Sequence, residues 1–374
     1  MKVPLLDLTE QNNALRPEIE AALGRVLDTN GFILGEEVAA LERELADYCH
    51  VKYAIGCASG SDALLLALMA YDVRYDDEVT TTPYSFFATV SSITRLSAVP
   101  IFVDIDPQTF NLNVSQVEER ITDKTKAIMP VHLFGQCADM DALLAIGEKY
   151  RIPVIEDAAQ AIGAEDGGRR AGSMGEIGCF SFYPSKNLGG MGDGGFLTTN
   201  DDELAHKLYA LRVHGSFERY HHKWVGLNSR LDGFQGAVLR VKLPHLDKWS
   251  DRRKANADRY RQLFADAGLE KYVTLPFERD GVRHIYNQFV IRVPERRDEL
   301  KEFLAANEIG TDIYYPIPLH RQECFRFLGY LKGDYPEAEK AAAETLALPV
   351  FPELRAEQQE YVVRKIGEFF GVEV

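Results

Sequence analysis

The chain reads as an α/β protein, with a mostly parallel central sheet flanked by helices and a smaller C-terminal α+β domain. Three observations carry that reading. Between Tyr53 and Thr199 short apolar strands alternate with helical stretches, the pattern of a sheet covered by helices. Strand ends fall at Cys57, Pro83, His132 and Asp157, and open α/β sheets bind ligands at the carboxyl ends of their strands. Beyond residue 264 only two clear strands stand among helices. The expected division is 1–247, a large ligand-binding domain with an N-terminal helical segment, and 248–374, the small domain.

Taken in order, Leu15, Ile19, Leu23 and Val26 recur at helical spacing, as do Val38, Leu41 and Leu45. The loop Thr29 to Gly35 between them carries Phe32, Ile33 and Leu34. These either cover the domain's own core or meet a ligand or second subunit. Strands are expected at 53–57, 78–83, 100–104, 127–132 and 153–157, and helices at 62–70, 87–96 and 140–149. Gly163 to Met174 reads as a hairpin turning at Gly167-Gly168. Strands at 177–182 and 195–199 follow, then a helix at 202–213. The polar, aromatic loop His214 to Arg230 is long enough to suggest function or an interface. Helices at 233–241 and 245–264 lead to a strand at 286–292, a helix at 297–307, a strand at 311–315, and helices at 337–347 and 357–370.

Composition narrows the function. A formal net charge of −15 argues against a surface for nucleic acid, which needs clustered Lys and Arg. The longest plain apolar run, Ala63 to Ala70, is too short to span a bilayer. The N-terminus lacks the apolar core of a signal peptide, so a cytoplasmic protein is expected. Five cysteines without a C-x-x-C spacing suggest reduced thiols, with neither a disulfide framework nor a zinc site.

The chemistry centres on Lys186. It lies in Phe180-Ser181-Phe182-Tyr183-Pro184-Ser185-Lys186-Asn187, just before Gly189 to Gly195, where five of seven residues are glycine. Glycines let backbone approach a ligand closely. The setting suits a lysine that holds pyridoxal phosphate (PLP) as a Schiff base. Such a cofactor needs further partners. Asp157, ending an apolar strand, can pair with a protonated pyridine nitrogen and keep the ring electron-accepting; alone, it is equally an N-cap of a following helix. Gly60 and Ser61, in the turn Ala58-Ser59-Gly60-Ser61-Asp62, offer N–H groups at a helix N-terminus for a phosphate, and Ser181 offers a hydroxyl. Phe86, after the strand end at Pro83, can stack on the ring. Gln160, expected one helical turn beyond Asp157, can face the ring's phenolic oxygen.

The ordered set of motifs resembles the DegT-type sugar aminotransferases, PLP enzymes of fold type I. It comprises Ser59-Gly60-Ser61-Asp62-Ala63-Leu64, Pro83-Tyr84-Ser85-Phe86-Phe87-Ala88-Thr89, Val103-Asp104-Ile105-Asp106 and Glu156-Asp157-Ala158-Ala159-Gln160. Ser181 to Asn187, Gly192-Asp193-Gly194-Gly195, Gly226 to Leu231 and Tyr314 to His320 complete it. The resemblance implies Lys186 as the cofactor lysine, Asp157 as the ring-nitrogen partner and Phe86 as the stacking ring. Gly60, Ser61 and Ser181 then hold the phosphate. It further implies that Asn228 reaches the phosphate of a neighbouring subunit's cofactor, hence a homodimer with shared active sites.

By the same resemblance the reaction moves an amino group from glutamate to a keto group of a nucleotide-linked sugar, with pyridoxamine phosphate as the intermediate cofactor form. Arg230 can pair with a carboxylate or diphosphate, or is an ordinary surface or interface arginine. Tyr183, Tyr315 and His320 can hydrogen-bond the sugar, although a histidine at the end of a Pro-bounded strand is more often structural. The run Tyr315 to His320 suggests a 3-keto acceptor over a 4-keto one. The alternatives are a cyclitol aminotransferase or sugar dehydratase of the same fold, or a non-catalytic regulator that keeps it. A lysine at 186, where dehydratase relatives carry histidine, speaks against the dehydratase. No metal site is expected.

Overall fold

The computed structural model describes residues 1–372. Helices Thr9–Thr29 and Gly35–Cys49 open the chain, burying Leu15, Ile19 and Val26 on one and Val38, Leu41 and Leu45 on the other. Both pack on the helix Gly233–Lys242. The loop between them does two things. Phe32 stacks on Phe234 with ring centroids 5.8 Å apart and Ile33 bridges to Asp232, yet both residues remain largely exposed.

The central sheet contains β1 (Tyr53–Cys57), β2 (Glu78–Thr81), β3 (Val99–Phe102), β4 (Thr125–Ile128), β5 (Ile155–Asp157), β6 (Ile177–Ser181) and β7 (Gly195–Thr199). Its two hydrogen-bonded halves run β1-β7-β6-β5 and β3-β2-β4. Parallel bridges Ile128–Val154 and Val131–Asp157 set β4 beside β5. Only β7 runs against its neighbours, β1 and β6. The strands are short and mostly buried, as strands under helices must be. Gly60–Ala70 covers one face and is itself nearly all buried.

This order puts the carboxyl ends of β1, β2, β5 and β6 on one edge, the edge expected to carry ligands. Behind it, Glu156 of β5 is fully buried and accepts from Gly172 N–H (2.6 Å), Met174 N–H (2.8 Å) and Gly175 N–H (2.6 Å). Its fourth partner is His132 Nε2, at 2.8 Å. Because His132 Nδ1 accepts from Ala138 N–H at 3.1 Å, the ring hydrogen must sit on Nε2 and point at Glu156. One carboxylate thus ties the segment after the Glu165–Asp166/Arg169–Arg170 hairpin and the stretch beyond β4 to the strand bearing Asp157.

A long helix, Leu246–Asp266, starts in the large core at Leu246 and ends in a second core at Ala257, Tyr260 and Phe264. The expected division between 247 and 248 falls inside its first turn. The second core also takes Leu300, Leu304, Val362 and Ile366, and Val3 from the far end of the chain. Val3 is held there by its N–H to Glu308 O at 2.9 Å and by Gly310 N–H to its carbonyl at 2.8 Å. Strand β8 (Phe289–Arg292) pairs antiparallel with β9 (Thr345–Leu348).

Three local expectations fail. Thr311 to Tyr315 forms no strand; Asp312 makes only a bridge to Ala347. The partner of β8 is Thr345–Leu348, a segment whose Ala and Leu content reads as the end of a helix. The helix stops at Glu344, and burial of all four following residues between packed elements overrides propensity. Nor does a helix follow Asp157. Residues 158–164 make successive turns, Ala161 N–H to Ala158 O and Ala164 N–H to Ala161 O, both 2.9 Å. The long loop, finally, contains a short hairpin of Ser216–Glu218 and His221–His222.

Among the described residues no helix is long and apolar enough to cross a membrane. No cluster of three or more His, Cys, Asp or Glu among them could hold a metal ion.

Candidate active site

The carboxyl edge of the sheet opens into a cleft of about 620 Å³. Its wall includes Gly60, Ser61, Phe86, Asp157, Gln160, Ser181, Tyr183, Lys186 and Tyr315. These residues come from five separate stretches of chain: four follow strand ends, and Tyr315 reaches in from the C-terminal domain.

Lys186 keeps some surface toward the cleft, but protein crowds its amine. That burial pushes the amine down to about 8 against the pull of the Asp157 charge. Among the described residues no carboxylate forms an ion pair with it. Its loop is held from behind at three points. Lys242 Nζ donates to Gly189 O at 2.7 Å, Gln235 Oε1 accepts from Met191 N–H at 2.8 Å, and Asn187 Nδ2 donates to Ile285 O at 3.2 Å. The glycines answer this packing: a Cβ at Gly195 would meet Ser59 C at 2.6 Å.

Asp157 is only 3% exposed. Thr89 Oγ1 donates to its Oδ2 at 2.8 Å and Ala159 N–H reaches its Oδ1 at 3.3 Å. Burial raises its carboxyl above the usual range, with the Thr89 and Ala159 bonds and then the Lys186 charge opposing. Across the cleft, Ser59 caps the helix Gly60–Ala70 by accepting from Asp62 N–H at 3.1 Å. The N–H groups of Gly60 and Ser61, in the first turn, have no acceptor within the helix. Gly60 lies so close to Ser181 that a Cβ there would meet the serine Cβ at 2.6 Å, which sets N–H donors and a hydroxyl side by side.

Gln160 has both ends occupied: Oε1 accepts from Phe134 N–H at 2.7 Å and Nε2 donates to Tyr315 OH at 2.9 Å. Tyr315 OH accepts there, which leaves its own hydrogen free for the cleft. Tyr315 is fixed in turn by its N–H to Tyr84 OH at 3.1 Å, and its ring lies 6.3 Å from that of Phe86.

Three expected site residues are not on this wall. His320 is buried in the domain seam, with Nε2 3.1 Å from Glu339 Oε1 and its ring against Tyr335 at 4.9 Å. It sits in the turn Leu319–Arg321, whose fold directs it inward, away from a sugar in this cleft. Asn228 is exposed, and Arg230 is half-buried with its Nε unpaired. Both lie beyond the loop 214–226, outside the cleft of their own chain. Sequence reasoning missed Thr89 and Glu156 as supports; both lay in quoted motifs, but no local pattern reveals which buried groups a carboxylate will meet.

The geometry can be set beside known proteins. Residues 13–367 match the DegT/DnrJ/EryC1/StrS aminotransferase family. The chain belongs to that family. It is 53% identical over 370 residues, 99% of both chains, to a Geobacillus stearothermophilus protein named pleiotropic regulatory protein. It is 44% identical to the UDP-N-acetyl-3-dehydro-alpha-D-glucosamine 3-aminotransferase of Acidithiobacillus ferrooxidans, covering 95% of each. Its fold superposes on Streptomyces venezuelae DesV in complex with a ketimine intermediate, with TM-score 0.95, 40% identity and 98% of each chain covered. NtdA of Bacillus subtilis with bound cofactor PMP matches with TM-score 0.92 and 33% identity, over 99% of this chain and 85% of that one.

The chain is therefore a fold type I aminotransferase whose cofactor is PLP. The cleft fits that group. It offers an amine that forms no ion pair among the described residues, a buried carboxylate, and a Gly60–Ser181 approach, too close for a side chain, beside N–H groups unused within the helix.

Proposed function

We propose that this enzyme transfers an amino group from glutamate to a keto group of a nucleotide-linked, deoxygenated or N-acetylated sugar. The observation that carries the reading is the single cleft in which Lys186 and Asp157 face each other's charge, with the Gly60–Ser61 helix terminus on its wall. In this reading Lys186 holds the cofactor, Asp157 pairs with its ring nitrogen, and Gly60, Ser61 and Ser181 hold its phosphate. Phe86 covers the ring and Gln160, through Nε2, faces the phenolic side.

When bound, PLP supplies an electron sink that weakens a C–H bond next to the reacting nitrogen. Lys186 Nζ, once released by the incoming amine, takes the proton from the donor carbon and returns one on the opposite half-reaction. An amine lowered to about 8 suits that exchange near neutral pH. Asp157 keeps the ring nitrogen protonated throughout. Tyr315 OH and Tyr183 orient the acceptor sugar. The name of the Acidithiobacillus ferrooxidans relative supports a nucleotide-sugar acceptor, and a 3-keto one.

The protein works in the cytoplasm as a homodimer with shared sites, feeding surface polysaccharide or a glycosylated metabolite. Phe217, Tyr220 and Val225 are exposed on the loop before Asn228, and Asn228 and Arg230 are absent from the wall of their own cleft, as residues serving a neighbour's site would be. Mixing inactive Lys186→Ala and Asn228→Ala chains tests the sharing. Mixed dimers then regain one intact site, and a mixture that stays inactive refutes it.

A second reading, a regulator that keeps the fold, is favoured by the name of the Geobacillus stearothermophilus relative. One experiment separates the two. Glutamate converts the bound PLP to pyridoxamine phosphate, and a panel of keto sugar nucleotides is screened for the one that restores it. Failure of the glutamate step refutes the transaminase reading. Conversion by glutamate with no sugar nucleotide restoring PLP, while a keto cyclitol does, refutes the sugar assignment.

A further inference from the structure

Asp157 is backed by a pair of hydroxyls that the proposed chemistry does not yet use. Thr89 is wholly buried in the first turn of the helix Phe87–Arg95. Its Oγ1 lies 2.8 Å from Asp157 Oδ2 and 2.9 Å from Ser85 Oγ. Threonine has a single hydroxyl hydrogen and an ionised carboxylate has none. Thr89 must therefore donate to Asp157, which leaves Ser85 to donate to Thr89. The hydrogen bonds run one way, from Ser85 through Thr89 to the carboxylate.

We propose that Thr89, backed by Ser85, is a positioning residue that keeps Asp157 ionised and turned toward the ring nitrogen of the cofactor. This rests on the reading of Asp157 as the ring-nitrogen partner. A carboxylate that is 3% exposed needs donors to stay charged, and its other donor, Ala159 N–H, is the longer one at 3.3 Å. No cation pairs with it directly among the described residues. The titratable groups facing it are Lys186 from the lysine loop, His132 beyond β4, Cys179 of β6 and Tyr315. His132 commits its ring hydrogen to Glu156. Among the described residues Thr89 is thus the one side chain that donates a hydrogen bond to Asp157.

The test uses Thr89→Val, which keeps shape and removes the donor, with Thr89→Ser as rescue, Ser85→Ala as the outer link and Asp157→Ala as reference. Three readouts apply to purified protein: the affinity of the apoprotein for PLP, the pH titration of the lysine-bound cofactor's absorbance, and the rate of its conversion by glutamate. Thr89→Val should slow that conversion about tenfold, as loss of one hydrogen bond to a charged group does. Its acid limb should move about one pH unit upward, because a less supported carboxylate takes its proton sooner. Thr89→Ser should stay within about threefold of the parent, since its hydroxyl still donates. Should Thr89→Val fail to fold, Ser85→Ala carries the test and should shift the limb in the same direction. An unchanged acid limb and PLP affinity in the folded variant overturn the proposal, provided Asp157→Ala loses both. If Asp157→Ala also behaves as the parent, the underlying assignment of Asp157 is what fails, and this proposal falls with it.

Discussion

Replacing Glu156 by glutamine should loosen the whole floor of the cleft. The carboxylate receives two donors on each oxygen: Met174 and Gly175 N–H on Oε1, Gly172 N–H and His132 Nε2–H on Oε2. In Glu156→Gln one oxygen becomes an NH₂ group, so two donors face another donor whichever way the amide turns. His132 cannot escape by changing tautomer, because its Nδ1 already accepts from Ala138 N–H. Each buried donor left without an acceptor costs about 1–3 kcal/mol, hence about 2–6 kcal/mol in all. Unfolding entropy near 2.1 cal/mol/K per residue amounts to about 0.8 kcal/mol/K for 374 residues. The melting temperature should then fall by about 3–8 °C. Differential scanning fluorimetry of the PLP-loaded protein measures it. The acid side adds a second check. Burial raises the Glu156 carboxyl, but its His132 and backbone hydrogen bonds outweigh that and leave it below the ordinary 4.5. Its stabilisation is therefore complete above the unfolded value and is lost as pH falls through the lowered native value. The difference between parent and variant should shrink below pH 4.5. A variant melting within about 1 °C of the parent at neutral pH would refute the reasoning.

Other outcomes follow from the same geometry. Lys186→Ala should abolish the absorbance of lysine-bound cofactor and all transamination, and a surviving band would move the cofactor lysine elsewhere. Because burial holds the Lys186 amine near 8, the neutral amine that captures PLP grows with pH. Stopped-flow capture by the apoprotein should accelerate as pH rises through about 8, and a flat profile from pH 7 to 9 would contradict it. Asp104 Oδ1 and Oδ2 accept from Ala338 and Glu337 N–H, each at 2.9 Å, and so cap the helix Pro336–Glu344 from across the domain seam. Asp104→Ala should cost about 1–2 kcal/mol, the worth of a lost N-cap, read as a lower urea midpoint. Four of the five cysteines are buried and Cys324 is exposed. A thiol reagent should therefore titrate one group in the native protein and the rest only after unfolding.

Much of the site was legible because its chemistry is local. Lys186 stood beside a glycine run, Asp157 at the end of an apolar strand, and Gly60-Ser61 in a strand-to-helix turn, and all three line the cleft. What sequence reasoning placed wrongly depended on distant partners. His320 carries a side chain suited to a sugar, yet its contacts are Glu339 and Tyr335. Gln160 sits on the cleft through turns, not the helix its spacing suggested. Thr345–Leu348 became a strand against Phe289–Arg292 despite helix-favouring residues.

By itself, then, the sequence determined the alternation of strands and helices, the strand ends where ligands gather, and the residue types that PLP chemistry requires. Periodicity and turn residues act within a few positions, so one chain suffices to read them. Only the tertiary structure decided that Thr89 supports Asp157, that Glu156 ties four donors behind it, and that Asn228 and Arg230 are not on the wall of their own cleft. Those outcomes join residues as far apart as 68 positions, Thr89 to Asp157. They depend on which buried polar groups must find one another once the layers close, and no local pattern encodes that.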